Sequence, residues 1–256
     1  MTDTRPLAIA VLIKQAPDMN AARVDRASGR VVVGTQLGIS FYDRYGVEAA
    51  LRLKELHGGE ITVITAGPAG ARDVIARALA MGADRGIHLE LADVNATDTL
   101  GIARLLADAV RPLSCDLIIA GQASDDYEAG QVGAQVSALL SIPVISNVVE
   151  IFIDAEGVLA RRDMEDGYQT IRASLPALLL SSTGLDEPRV ASVKGIMTAK
   201  KKPVETIPVQ VETENRLTWD APYVPPKSVS GTIVQDLPAA EAAKQLVDWL
   251  HGQKLI

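Results

Sequence analysis

The 256 residues predict an α/β fold: a parallel sheet between two layers of helices, with antiparallel strands added later and a C-terminal arm ending in a helix. Three observations carry that expectation. Short apolar runs recur at Leu7–Ile13, Ile61–Thr65, Gly86–Leu91 and Leu117–Ala120, each of a length suited to a buried strand. Between them lie segments whose apolar residues repeat every three or four positions, the spacing of one helix face. Strands alternating with helices imply parallel pairing, crossovers and helices on both faces of one sheet.

Each element follows in order. After the first strand, Val24–Gly34 (VDRASGRVVVG) reads as a small hairpin turning at Ala27-Ser28-Gly29. Asp43–His57 is helical and stops at Gly58-Gly59. The second strand, Ile61–Thr65, is broken by Gly67-Pro68. Val74, Ile75, Ala78 and Leu79 make the next helix face, which Gly82 closes before the third strand. Ile102, Leu105, Leu106 and Ala109 fall at i, i+3, i+4 and i+7 of another helix. Asp116–Leu140 then gives a strand, a polar loop from Gln122 to Gly130, and a helix face of Val132, Val136, Leu139 and Leu140. After Pro143 the rhythm changes. Val144–Ile153, Val158–Arg162, Tyr168–Ala173 and Ala177–Leu180 read as antiparallel strands added to the sheet. Leu185–Pro203 has no strong period and ends in the basic run Lys200-Lys201-Lys202. Glu212–Thr232 is a polar, proline-rich arm, and Ala239, Ala243, Leu246, Val247 and Leu250 share one face of a last helix. The expected division is residues 1–210 as the α/β domain and 211–256 as arm and helix.

Composition excludes several functions. A net charge of −7 argues against nucleic acid, which wants a basic surface. No apolar run approaches the ~20 residues that cross a bilayer, so no membrane insertion is expected. The opening apolar stretch runs into Lys14 and reads as a strand, not a signal peptide. The single cysteine, Cys115, suits a reducing, cytoplasmic setting and reads as a small buried or half-buried residue at a strand start. His57, His88 and His251 have no cysteine or carboxylate at ligand spacing, so no metal is expected. GxGxxG, GxxxxGK[ST] and GxSxG are absent, and no catalytic residue is assigned.

The candidate site is the loop of Asp116–Leu140. A strand feeding a helix through a glycine-punctuated loop leaves backbone N–H groups free at the helix N-terminus. That is either a plain connection or a seat for an anion such as phosphate. Asp125, Asp126 and Glu128 could do acid–base work. Capping the helix or bonding a ribose hydroxyl is the better reading for them, with phosphate meeting the backbone at Ala129–Val132.

The loop AGQASDDYEAGQVG resembles the nucleotide-binding loop of the β subunit of electron-transfer flavoprotein. ALAMGADRGIHL (Ala78–Leu89), EPRVASVKGIMTAKKKPVE (Glu187–Glu205), AIAVLIKQ and GVEAALRLKE agree with that family, in order, over roughly residues 7 to 210. The resemblance implies a flavodoxin- or Rossmann-like, adenine-nucleotide-binding fold. It implies an obligate heterodimer with an α subunit that holds most of an FAD site, while this chain binds AMP without a redox role. The matching nucleotide positions are Leu12, Ser40, Asp43, Ala66, Gly121, Gln122, Ala123, Ser124, Asp125, Asp126, Ala129, Gly130, Gln131 and Val132. Arg162 and Asp163 match a contact with the α subunit near FAD. Arg189, Val193, Lys194, Ile196, Met197 and Lys200 match a loop that docks redox partners, with Val193 at the usual leucine anchor. Implied partners are flavin dehydrogenases such as acyl-CoA dehydrogenases, with a quinone oxidoreductase as acceptor. The pattern departs from the family at Ser40-Phe41, where Asn-Pro is usual. A bifurcating relative would hold a second FAD in the same pocket, but its Asp-Gly-Asp-Thr is here Ser124-Asp125-Asp126-Tyr127, and bulky Tyr127 favours AMP. A third alternative, an ATP-using adenine-nucleotide hydrolase, lacks its SGGxDS-type loop here.

Overall fold

The computed structural model describes residues 6–94, 97–210, 217, 224, 231 and 233–256. The chain divides into Met1–Pro222 and Tyr223–Ile256, and each unit is described by itself.

The first unit opens with β1 (Leu7–Leu12), then β2 (Gln15–Pro17), β3 (Arg23–Val24), β4 (Val31–Val32) and β5 (Leu37–Ile39). β3 and β4 pair antiparallel around the expected turn, and β2 pairs with β5. α1 (Phe41–His57) starts two residues earlier than expected and ends where Gly58 takes φ +76°, a conformation open to glycine. β6 (Gly59–Gly67), α2 (Arg72–Met81), β7 (Arg85–Glu90), α3 (Thr99–Val110), β8 (Leu117–Gly121) and α4 (Val132–Leu140) continue the alternation. They are followed by β9 (Val144–Asp154), β10 (Gly157–Met164), β11 (Gly167–Ala173), β12 (Ala177–Ser181), α5 (Val193–Ala199) and β13 (Val204–Pro208).

Nine strands form one sheet in the order β11-β10-β9-β12-β8-β1-β6-β7-β13. From β9 to β13 in that order every pairing is parallel. Leu117, Ile118 and Ile119 of β8 are buried on both faces, as a central parallel strand requires. One apolar cluster joins the sheet to Val47, Leu51 and Leu53 of α1 and Val74, Ile75 and Leu79 of α2. A second joins the opposite face to Leu106 and Val110 of α3 and Val136 of α4. The result is the expected three-layer α/β arrangement. α4 lies so close to the sheet that a Cβ on Gly133 would strike the Leu180 side chain.

Four expectations need correction. β12 was expected among the antiparallel strands, but only β9, β10 and β11 form an antiparallel meander. β12 inserts between β8 and β9, parallel to both, because its run Ala177–Ser181 is buried throughout and can sit only inside the sheet. Leu185–Pro203 is not all loop: Ser192 caps α5 by accepting from the Gly195 N–H at 3.0 Å. Val204–Pro208, given no strand in the sequence reading, forms the far edge beside β7, where Pro208 costs no ladder bond. The α3 stripe is also rotated by one position. Ala103, Leu106, Ala107 and Val110 are buried, while Ile102, Leu105 and Ala109 are half-buried.

In the second unit, α6 (Ala239–Gly252) carries exposed Leu246, Val247 and Trp249. Most of the expected arm at Glu212–Thr232 lies outside the described residues.

Candidate functional site

The chain runs from β1 through β6 to β7 on one side, then returns to β8 on the other side of β1. That reversal opens a crevice at the carboxyl ends of the strands, where open parallel sheets bind ligands. The crevice has a volume of about 420 Å³, within the roughly 300–1,000 Å³ usual for small-molecule sites. Leu12, Ala66 and Gly121 mark the ends of the three strands. Gln122, Ala123, Ser124, Asp126, Ala129, Gly130, Gln131 and Val132 supply one rim, and Ile102 and Leu106 add an apolar wall from α3.

Asp43 braces the floor. Its two oxygens accept the Lys14 N–H at 2.7 Å and the Gly121 N–H at 2.9 Å, joining β1, β8 and α1. Burial pushes its carboxyl up to about 7, against the pull of those two bonds. Ser40 and Asp125 do not line the crevice. The Ser40 hydroxyl donates to Asp125 Oδ1 at 2.5 Å, and the same oxygen accepts the Phe41 N–H at 3.4 Å.

For the acidic residues, the capping half of the sequence reading is corrected. None caps α4, whose N-cap Gln131 makes no side-chain capping bond. Asp125 instead serves the N-terminus of α1. Asp126 pairs with Lys14 Nζ at 2.6 Å, and that ammonium sits 4.6 Å from the centre of the Tyr127 ring. Glu128 is exposed and holds φ +47°, part of the turn into Gly130 at φ +61°. The first N–H groups of α4 are therefore left without a side-chain cap at the crevice rim.

Sequence reasoning missed Lys14 and Thr97. Lys14 lies two residues beyond the end of β1, where a side chain reaches the sheet's carboxyl edge. Thr97 precedes Asp98, which caps α3 by accepting the Gly101 N–H at 2.9 Å. No pattern in the sequence separates either residue from an ordinary lysine or cap-flanking threonine.

The other expected residues lie elsewhere. The Arg162 Nε donates to Gln169 at 2.9 Å on the antiparallel meander. Asp163 lines a separate hollow of about 570 Å³ with Arg52, Leu56, Glu150, Arg161 and Tyr168. Around α5, Val193 is 76% exposed, Met197 67% and Ile196 50%. Arg189 is not a free rim cation: it donates to buried Glu48 at 2.8 and 2.9 Å and to Glu55 at 2.6 Å. Burial pushes the Glu48 carboxyl up, but Arg189 and Arg52 outweigh it and hold the group below the usual carboxylate range. Lys202 is likewise engaged, donating to the carbonyls of Leu79 and Ala83 at the end of α2. Cys115 is half-buried, and burial beside Asp116 pushes its thiol up to about 11. Among the described residues no cluster of His, Cys, Asp or Glu could hold a metal, and no helix is long and apolar enough to cross a membrane.

A doubly wound parallel sheet with an open crevice at its switch point defines the chain as an α/β protein of the nucleotide-binding architecture. Residues 31–212 match the model of the electron transfer flavoprotein domain. The electron transfer flavoprotein subunit beta of Bacillus subtilis (strain 168) is 35% identical over 227 residues, 86% of this chain and 88% of that protein. The subunit of the same name from Syntrophomonas wolfei is 35% identical over 248 residues, 96% of each chain. The Caffeyl-CoA reductase-Etf complex subunit CarD of Acetobacterium woodii is 35% identical over 199 residues, 77% of this chain and 76% of that one. The chain belongs to the electron transfer flavoprotein family, as a β subunit. Its role is therefore electron transfer with a flavin, beside an α subunit and in exchange with dehydrogenases.

Proposed function

We propose that this chain holds AMP as a structural ligand in the crevice and docks flavin dehydrogenases, such as acyl-CoA dehydrogenases, through α5. Electrons then pass to a quinone oxidoreductase, and the heterodimer works in the cytoplasm. FAD, held mainly by the α subunit near Arg162 and Asp163, supplies the reversible electron storage. The chain's own residues do the rest. The uncapped start of α4 receives the phosphate, the apolar wall of Leu12, Ile102 and Leu106 takes the base, and the exposed face of α6 packs on the α subunit.

The observation that carries the docking role is the exposed apolar group of Val193, Ile196 and Met197 on one short helix. Exposed apolar side chains grouped in one place mark an interaction surface, where a buried anchor supplies most of the affinity and rim charges steer encounter. Lys194 and Lys200 flank the group, while Arg189, tied to Glu48, sets its position. Valine buries about 0.8 kcal/mol less than leucine would in a partner's pocket, which suits a carrier that must leave after each transfer. Val193→Asp is expected to abolish electron transfer from a cognate dehydrogenase while FAD, AMP and the heterodimer persist. Steady-state transfer with flavin content measured in parallel decides, and unchanged transfer would place the docking surface elsewhere.

A second reading puts a second FAD in the crevice of an electron-bifurcating complex. The likeness to a subunit of a caffeyl-CoA reductase–Etf complex favours it. The Tyr127 ring packed over Lys14 at the rim favours the smaller ligand.

A further inference from the structure

Thr97 lines the crevice and is 3% exposed, yet its hydroxyl finds no hydrogen-bond partner among the described residues. A buried hydroxyl left unpaired costs about 1–3 kcal/mol, so its persistence against an open crevice suits a partner bound in the crevice. Its surroundings say what kind. Two residues on, the Thr99 hydroxyl donates to Gln131 Oε1 at 2.7 Å, which ties this segment to the N-cap position of α4. The same helix start has no side-chain cap, and Gly130, Gln131, Val132 and Gly133 line the crevice with Thr97. Uncapped N–H groups and an orphan hydroxyl form a set of donors, and donors gathered at a helix N-terminus suit an anion.

We propose that Thr97 is a specificity-determining residue: its hydroxyl donates to the phosphate of the bound nucleotide and distinguishes a nucleoside monophosphate from the bare nucleoside. The inference rests on the reading of the crevice as the AMP site. It gives α3 a part in the site, so that the phosphate is held between the starts of two helices.

The test uses the heterodimer freed of nucleotide and titrated with AMP and with adenosine, for the wild type, Thr97→Val and Thr97→Ser. Thr97→Val keeps the shape and removes the hydroxyl. It should weaken AMP about tenfold, the effect of one hydrogen bond to a charged group, and leave adenosine within about twofold. Thr97→Ser should retain the wild-type affinity for AMP. Without ligand, Thr97→Val should melt no lower than the wild type, because it removes a group that has no partner among the described residues. An equal loss for AMP and adenosine would move the contact to the nucleoside and overturn the proposal. An unchanged AMP affinity, or a lower melting temperature without ligand, would overturn it as well. Failure of the wild type to bind AMP at all would instead overturn the reading of the crevice on which it rests.

Discussion

At the scale of single residues, the site is organised by groups whose bonds run inward. Asp43 faces the crevice, but both its oxygens are spent on backbone N–H groups, that of Lys14 just beyond β1 and that of Gly121 in β8. Because burial raises its pKa to about 7, well above the unfolded value near 3.9, the folded state binds the extra proton between those limits. The associated stability is fully present below about pH 4 and is lost as the pH rises towards 7. Asp43→Asn turns one acceptor into a donor facing an N–H. It should cost about 1–3 kcal/mol and flatten the fall in stability between pH 4 and 7, which urea denaturation across that range will measure. Most residues named from the sequence do line the crevice, because strand ends and the loop after β8 are fixed by pattern. Ser40 and Asp125 bond each other instead, and Thr97 went unseen. Such placements depend on side-chain partners 85 residues apart in the case of Ser40 and Asp125, which no local spacing records.

Among the elements, α5 ties the proposed docking surface to the core. A Cβ on Gly195 would strike the backbone carbonyl of Ala80, so glycine lets the helix lie directly on α2. Gly195→Ala should therefore push α5 outward and cost about 1–3 kcal/mol, as overpacking does. Hydrogen exchange should show lost protection over residues 189–202 while α1 and β1 remain protected. Unaltered exchange there would mean that α5 does not depend on this contact. The long amphipathic elements were legible because their apolar faces repeat over several turns. α5 was not, since seven residues make too short a pattern and its cap, Ser192, is recognised only once the helix is seen. β12 was found as a strand, but its direction depends on lying between β8 and β9, a fact of the whole sheet.

On the scale of the whole molecule, the crevice proposed for the nucleotide sits at the switch point, the proposed docking face is on α5, and the family places the flavin with the α partner. Glu48 and Arg189 join two of these regions, since α1 starts beside the crevice and holds the proposed docking segment at its middle. The account makes AMP a fixed part of the fold: a ligand that binds only the native state stabilises it by about 2.7 kcal/mol at a hundredfold excess over its dissociation constant. The central claim is tested most directly by acid extraction of the purified heterodimer, with the released nucleotides separated and counted against protein. The account predicts AMP and FAD in equal amounts. Flavin at twice the heterodimer concentration with no AMP would contradict it and favour the bifurcating reading.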